Sequence, residues 1–357
     1  MIKTFYRLKT NFFVNLRILI VMSIITLLVQ SCNNGENLPD VSAIKLSLQT
    51  RRLDQDLAQL DTNQVAAGLQ KLSAKYPDFL NFYLDTVLGF GIDGKYVDTS
   101  AAIQQGLRVF LTYKDYRGLF DTVAKHFPDT KQLDEQLTKG FQYMKFYNPN
   151  YVVPKVVYFT SGLQKLSAFT YEDKILCIGL DMYLGEKYPY YASVGIPEYM
   201  TAHLRPEYVL PNAFKVIYEM NHPFVTDKEN TLLDMMIQRG KEQYFLNKVI
   251  PFCKDSAKLG YTQKQLDWCK GNEAMIYNFF VHENLLYDVS WQKVLGYVSE
   301  GPSATGMPVE SPGNVGTYLG LQIVNAYMQQ HPKMTMDELF RNTDAQRFLS
   351  ESKYKPK

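Results

Sequence analysis

The sequence predicts an α+β fold, mostly helical with a small sheet. Apolar residues recur at helical spacing over most of the chain. Two runs near its middle, Val152 to Thr160 and Ile175 to Leu180, are rich in β-branched and aromatic residues and read as strands. Proline, glycine and asparagine punctuate these segments, with no internal repeat or low-complexity tract.

Taken in order, the first segment is an address. Lys3, Arg7, Lys9 and Arg17 precede an apolar run from Ile18 to Val29, which is short for a membrane span. Val29-Gln30-Ser31 then leads into Cys32. A small residue directly before cysteine at the end of such a run predicts a bacterial lipoprotein signal over 1–31. The thiol of Cys32 would be diacylated, the chain cut before it and the new amine acylated, and several acyl chains hold a protein stably on a membrane. Asn33 after the cysteine fits either the inner or the outer membrane. Residues 32–48 are polar with Gly/Pro punctuation and read as a tether.

Helices follow over Arg51 to Leu72, with a break near Thr62-Asn63, then over Asp78 to Leu88, Ile103 to His126 and Lys131 to Phe146. After the two strands and their connection, Ser161-Gly162 to Glu172, the chain is irregular and Tyr/Pro-rich from Gly185 to Pro211. Helices are expected again over Asn212 to His222, Asn230 to Asn247, Gln263 to Tyr287, Thr317 to Gln330 and Thr335 to Ser350, with a long Gly/Pro/Ser loop from Glu300 to Gly316.

Composition narrows the function. The whole chain carries a formal charge of +2, which falls by four to −2 once the four basic residues of the signal are removed. A nearly neutral protein offers no electrostatic case for nucleic acid. Tyrosine and phenylalanine number 26 and 21, so aromatic packing should be extensive. Beyond Cys32 there are Cys177, Cys253 and Cys269, an odd number, so at least one thiol stays free or pairs outside the chain. Cys253 and Cys269 either bridge in an oxidising periplasm or pack as thiols. Gly89-Phe90-Gly91-Ile92-Asp93-Gly94 matches G-x-G-x-x-G. It follows a helix rather than a strand, so it reads as a turn and not as a dinucleotide site. G-x-S-x-G, Walker A and EF-hand patterns are absent, and no cofactor is implied.

The sharpest motif is a damaged one. Tyr218-Glu219-Met220-Asn221-His222 is H-E-x-x-H with its first histidine replaced by tyrosine. An intact motif sets two zinc ligands one turn apart on a helix, with the glutamate as general base. The third ligand of such a site is often a glutamate on the next helix. Seventeen residues beyond His222 that place is held by Arg239, followed by Gly240, which allows close helix packing. A guanidinium repels a dication, and it can pair with the carboxylate of Glu219. Tyr218, Glu219, His222 and Arg239 therefore read as vestigial metal-site positions with neither metal nor catalytic residues. Glu219 and Arg239 are expected to meet between two packed helices.

The chain resembles the gliding motility lipoprotein GldB family of Bacteroidetes. The resemblance rests on Arg52-Leu53-Asp54-Gln55-Asp56, Tyr76-Pro77-Asp78-Phe79, Ser161-Gly162, Ile178-Gly179-Leu180-Asp181-Met182-Tyr183-Leu184-Gly185 and Met236-Ile237-Gln238-Arg239-Gly240-Lys241. It continues through Gly260-Tyr261-Thr262, Trp268, Asn272-Glu273, Ile323-Val324-Asn325-Ala326-Tyr327-Met328 and Ser352-Lys353-Tyr354-Lys355-Pro356. The order of segments is also similar, more distantly, to predicted zinc peptidases with an intact H-E-x-x-H, from which this chain departs at two ligand positions. The resemblance implies a single domain over 49–357, with a helical half over 49–147 and a degenerate zincin-like part over 148–357. It also implies a role in the envelope machinery of gliding and type IX secretion. The expectation is a lipid-anchored protein facing the periplasm that binds other envelope proteins without catalysis. The competing readings are a zinc metallopeptidase with ligands recruited from elsewhere and a peptide-binding module that keeps a substrate groove.

Overall fold

Four short strands form one mixed sheet in the order β1–β2–β4–β3. They are β1 (Thr50–Arg52), β2 (Lys155–Phe159), β3 (Ala168–Tyr171) and β4 (Ile175–Gly179). β1 and β4 run parallel to β2 on either side of it, and β3 is antiparallel to β4 at the far edge. This computed structural model describes residues 38–92, 100–223 and 229–357. The signal over 1–31 and Cys32 lie outside the described residues.

The helices, in chain order, are α1 (Leu53–Ala58), α2 (Val65–Lys75), α3 (Leu80–Phe82, continued by a π-turn over Tyr83–Val87), α4 (Ala101–Thr112), α5 (Lys114–His126) and α6 (Lys131–Tyr147). After the sheet come α7 (Tyr190–Ser193), α8 (Glu198–Thr201), α9 (Val209–Asn221), α10 (Leu232–Val249), α11 (Asp255–Leu259), α12 (Gln263–Gly271) and α13 (Glu273–His282). The last four are α14 (Trp291–Val298), α15 (Val315–Gln330), α16 (Met336–Arg341) and α17 (Ala345–Ser352). The fold is α+β, mostly helical, as the sequence predicts. Single helices expected over 103–126, 263–287 and 335–350 are each two, broken at Tyr113, Asn272 and 342–344.

Residues 41–48 differ from the tether read over 32–48. Val41 is buried, and Ile44, Leu46 and Leu48 pack against the same core. Their alternation feeds directly into β1, so the chain belongs to the compact unit Val41–Lys357 from Val41 onward.

The sheet separates two cores. Along β2, Val156 and Tyr158 face one cluster, shared with Phe141 of α6 and Phe214 of α9. Val157 and Phe159 face the other, shared with Leu53, Leu69, Tyr83 and Leu107. A third cluster fills the helical C-terminal part. Polar side chains add to the backbone pairing that locates the sheet's outer strand β1. Arg52 makes a two-pronged bond to the buried Asp54, at 2.8 and 2.7 Å, and donates to the carbonyl of Phe127. Asp134 accepts from Tyr158, Thr130 and Thr50.

α10 is buried nearly all round. Phe245, Leu246 and Val249 belong to the sheet's core, whereas Leu232, Met236 and Tyr244 belong to the C-terminal one. Thr231 and Asp234 cap its start reciprocally. At its middle it crosses α15 with backbones in contact. A Cβ on Gly240 would overlap the carbonyl of Gly320, and one on Gly320 the carbonyl of Met236. Gly320→Ala should therefore destabilise the protein by ~3 kcal/mol or more despite alanine's better helix propensity, as measured by urea unfolding.

Candidate functional site

α9 presents two different faces. Leu210, Ala213, Phe214, Ile217 and Tyr218 are buried. Asn212, Lys215, Val216 and Glu219 form a second stripe at helical spacing, which lines a groove. Tyr218 and His222, one turn apart, meet with ring centroids 5.0 Å apart. Both lie against Phe340, and Tyr218 also against Phe245. Tyr218 is 2% exposed and its hydroxyl has no hydrogen-bond partner among the described residues. Burial, with the nearby charge of Glu242, keeps its phenol protonated far above the ordinary range. His222 caps the end of α9, and burial lowers its pKa.

Arg239, on the adjacent α10, reaches Glu219 at 3.1 Å, so the two side chains meet between packed helices. The pair is more open than expected for a carboxylate held in a groove, with Arg239 40% and Glu219 50% exposed. The same Nη1 also bonds Glu242 at 2.8 Å, and Glu242 is 5% exposed. Glu242 is the partner missed in the sequence reading. Its one local signal is spacing, a glutamate one turn beyond Arg239 on the same helix. Lys241 is buried as well. Its ammonium donates to the carbonyl of Asn342 and stands 4.8 Å over the ring of Phe348. Burial lowers its pKa to about 8.

This donor set does not suit a zinc ion. A phenol kept neutral by burial is a poor ligand, Arg239 already occupies Glu219, and one imidazole remains where three protein ligands are needed. Among the described residues no three His, Cys, Asp or Glu side chains converge as a metal site.

The groove has a volume of about 360 Å³. Its floor includes Met182, Ile196, Met200 and Leu204, and its polar wall includes Lys165, Ser167, His203, Lys215 and Glu300. His203 Nδ1 stands 3.6 Å from Glu300, longer than a hydrogen bond. His203, together with Lys215, holds the Glu300 carboxyl below its ordinary range. The loop carrying Lys165 is fixed from behind by Asp181. One carboxylate oxygen of Asp181 accepts from Ser161 N, Ser161 Oγ and Leu163 N at 3.0, 2.9 and 2.8 Å. Asp181 is fully buried, which raises its pKa while these donors oppose the rise. Gly179 is needed because a Cβ there would overlap the carbonyl of Leu166 in the same loop. The Ile178–Gly185 and Ser161-Gly162 segments thus act as one support.

Other sequence candidates lie elsewhere. Gly89 and Gly91 have positive φ in the turn after α3, and Gly94 lies outside the described residues. Cys177, Cys253 and Cys269 are free thiols. Cys253 packs against the sheet's core and Cys269 within the C-terminal one. Glu273 accepts from Tyr318 and Tyr354 at 2.8 and 2.9 Å and ties the C-terminal segment to α13. No helix among the described residues is long and apolar enough to cross a membrane.

The model of the gliding motility protein GldB family matches residues 34–356. Comparison with curated proteins and with solved structures finds no match.

Two measurements follow from the charges around Arg239. Arg239→Ala should cost about 3 kcal/mol, because Glu242 is left buried without its cation. Glu219→Ala should cost about 1 kcal/mol or less, because that pair is half exposed. Equal losses in urea unfolding would contradict this division. Lys241 gives a pH signature. Its folded pKa is about 8 against 10.5 in the unfolded chain, so the unfolded state binds more protons between these values. Stability should rise with pH from about 8 toward 10 relative to Lys241→Met, read from paired unfolding curves.

Proposed function

The chain belongs to the gliding motility protein GldB family, and from that premise we propose that it is a lipid-anchored envelope protein that binds other envelope proteins and catalyses no reaction. Anchoring is read from Cys32 and the signal before it, with the domain facing the periplasm. The observation that carries the non-enzymatic reading is the double engagement of Arg239. Its guanidinium satisfies Glu219 and Glu242 together, so the carboxylate that would act as general base in an H-E-x-x-H helix is held in an ion pair. The groove beside Glu219 is then a binding surface without a reaction centre. It combines an apolar floor with a few convergent polar groups, the usual make-up of a recognition site.

The test combines anchoring, metal content and association. Wild-type protein should take up labelled fatty acid, and Cys32→Ala should not. Elemental analysis of the purified chain should find far less than one zinc per molecule. Cross-linking in the native envelope should capture a stoichiometric protein partner. Equal acylation of Cys32→Ala would end the anchoring assignment, and a tightly held zinc lost in His222→Ala would restore the enzyme reading. An envelope in which the protein cross-links to nothing would refute the binding role.

A further inference from the structure

The start of the compact unit lies beside the end of α6. Gln142 Nε2 donates to the carbonyl of Ile44 at 2.8 Å, and Thr50 reaches Asp134 near the beginning of the same helix. The chain from Val41 to Thr50 therefore runs antiparallel to α6. The sheet gives the same placement, because β1 is parallel to β2 and Gln49 O accepts from Val156 N. Residues ahead of Gln49 thus lie beside the connection from α6 to β2, residues 148–154. Val41 is one tight turn from Ile44, whose N–H donates to the Val41 carbonyl at 3.0 Å.

This corner carries apolar tips set among basic side chains. Phe146, one helical turn beyond Gln142 on the same face, is 46% exposed, and Val152 in the connection is 83% exposed. Lys45, Lys139 and Lys155 are exposed and Lys145 partly so. No acidic residue occurs between Asp40 and Asp54 or between Glu135 and Glu172. Glu172 and Asp173 flank the corner in the β3–β4 turn, where Lys174 O accepts from Lys155 N and Glu172 pairs with Lys174 at 3.5 Å. Exposed apolar tips among lysines suit a phospholipid surface: the tips enter the boundary between headgroups and acyl chains, and the ammonium groups meet phosphates. A second exposed apolar set, Tyr287, Val289 and Trp291, stands by contrast beside Glu283 and Asp288 in the C-terminal part.

Chain length selects between the two sets. Nine residue steps join Cys32 to Val41, a span of at most about 30 Å at full extension. An anchor at Cys32 therefore keeps the Val41 corner close to the bilayer. We propose that the corner formed by residues 41–48 and 139–155 docks on the phospholipid surface that carries the anchor, with Phe146 and Val152 entering the headgroup boundary and Lys45, Lys139, Lys145 and Lys155 meeting lipid phosphates. The inference rests on acylation of Cys32 and gives the anchored domain one orientation on its membrane.

The test uses the acylated full chain in vesicles of phosphatidylethanolamine and phosphatidylglycerol. The background is Cys253→Ser, because Cys253 is partly exposed whereas Cys177 and Cys269 are buried. Val152→Cys, Phe146→Cys and, as a control, Trp291→Cys are each labelled with a nitrobenzoxadiazole dye. Lipids spin-labelled high on the acyl chain should quench the dye at 152 and 146 at least about threefold more than at 291, since a docked face sits about 5–10 Å into that boundary. Adding Lys45→Glu, Lys145→Glu and Lys155→Glu together should cut the quenching at 152 by about half or more, as should replacing phosphatidylglycerol with phosphatidylcholine. Each variant should keep the wild-type circular dichroism and melting temperature. Val152, the more exposed position, decides the matter if Phe146→Cys unfolds. Equal quenching at 152 and 291, or quenching indifferent to the lysines, in a chain that floats with the vesicles would overturn the docking face and leave the anchor standing. A dye at 152 that is shielded in native envelopes but unquenched in pure lipid would give the corner to a protein partner instead. A chain that takes up no fatty acid and does not float removes the anchor and the docking face together.

Discussion

The contact on which the rest of the structure depends is the crossing of α10 and α15 at Gly240 and Gly320. Hydrogen atoms replace side chains there, so the two backbones touch and the helices have one depth and one register. α10 extends from that crossing into both the sheet's core and the C-terminal core. The residues flanking Gly240 are therefore placed by backbone geometry. Arg239 on one side is aimed at α9, and Lys241 on the other is buried toward Asn342 and Phe348. A side chain at position 240 would push α15 outward and shift both charged neighbours together.

Beside this crossing and in the sheet region the protein keeps several charges in low-exposure surroundings, each with a separate solution. Arg239 bridges one exposed and one buried carboxylate. Asp181 has no cation partner among the described residues and relies on three donors from one loop. Arg52 and Asp54 satisfy each other as a fork. Such groups contribute little net free energy when compared with apolar replacements, but removing one partner is costly. Their effect is to make particular geometries the only inexpensive ones. The β2–β3 loop, the start of α1 and the α9–α10 contact are each specified in this way.

Much of this was legible in the sequence because the signals were local. The apolar stripes of α2 and α6, the β-branched runs of β2 and β4, and the glycine after Arg239 all announced themselves. The misses have physical causes. β1 is three residues long, and its place beside β2 is supported by bonds from its own Arg52 and Thr50 to Phe127 and Asp134 in distant segments, which no window of sequence contains. β3 is short and flanked by Lys165 and Glu172-Asp173-Lys174, which outweigh the strand signal of Phe169-Thr170-Tyr171. α14 was passed over because its eight residues follow an exposed polar turn. In the site, the spacing of Glu219 and Arg239 could be read from the helix pattern. Glu242 could not be assigned, because nothing in a single sequence says that a glutamate beside Lys241 is buried. The Asn212–Glu219 stripe was readable as polar positions opposite an apolar face, but its groove depends on segments around 165–167, 182, 195–208, 260 and 300.

The shared guanidinium of Arg239 also shapes which neighbouring sequences can be reached. Arg239→Glu taken first would gather three carboxylates at positions 219, 239 and 242 with no cation among them, a strongly repulsive cluster beside a buried core. Tyr218→His taken first would put a polar ring into the space that Phe245 and Phe340 now close around an aromatic one. Either change is unfavourable alone, and both would need Glu242 neutralised at about the same time. The present arrangement therefore works as a ratchet: single substitutions away from it descend in stability before any ligand set is assembled, and drift tends to preserve the ion-paired state.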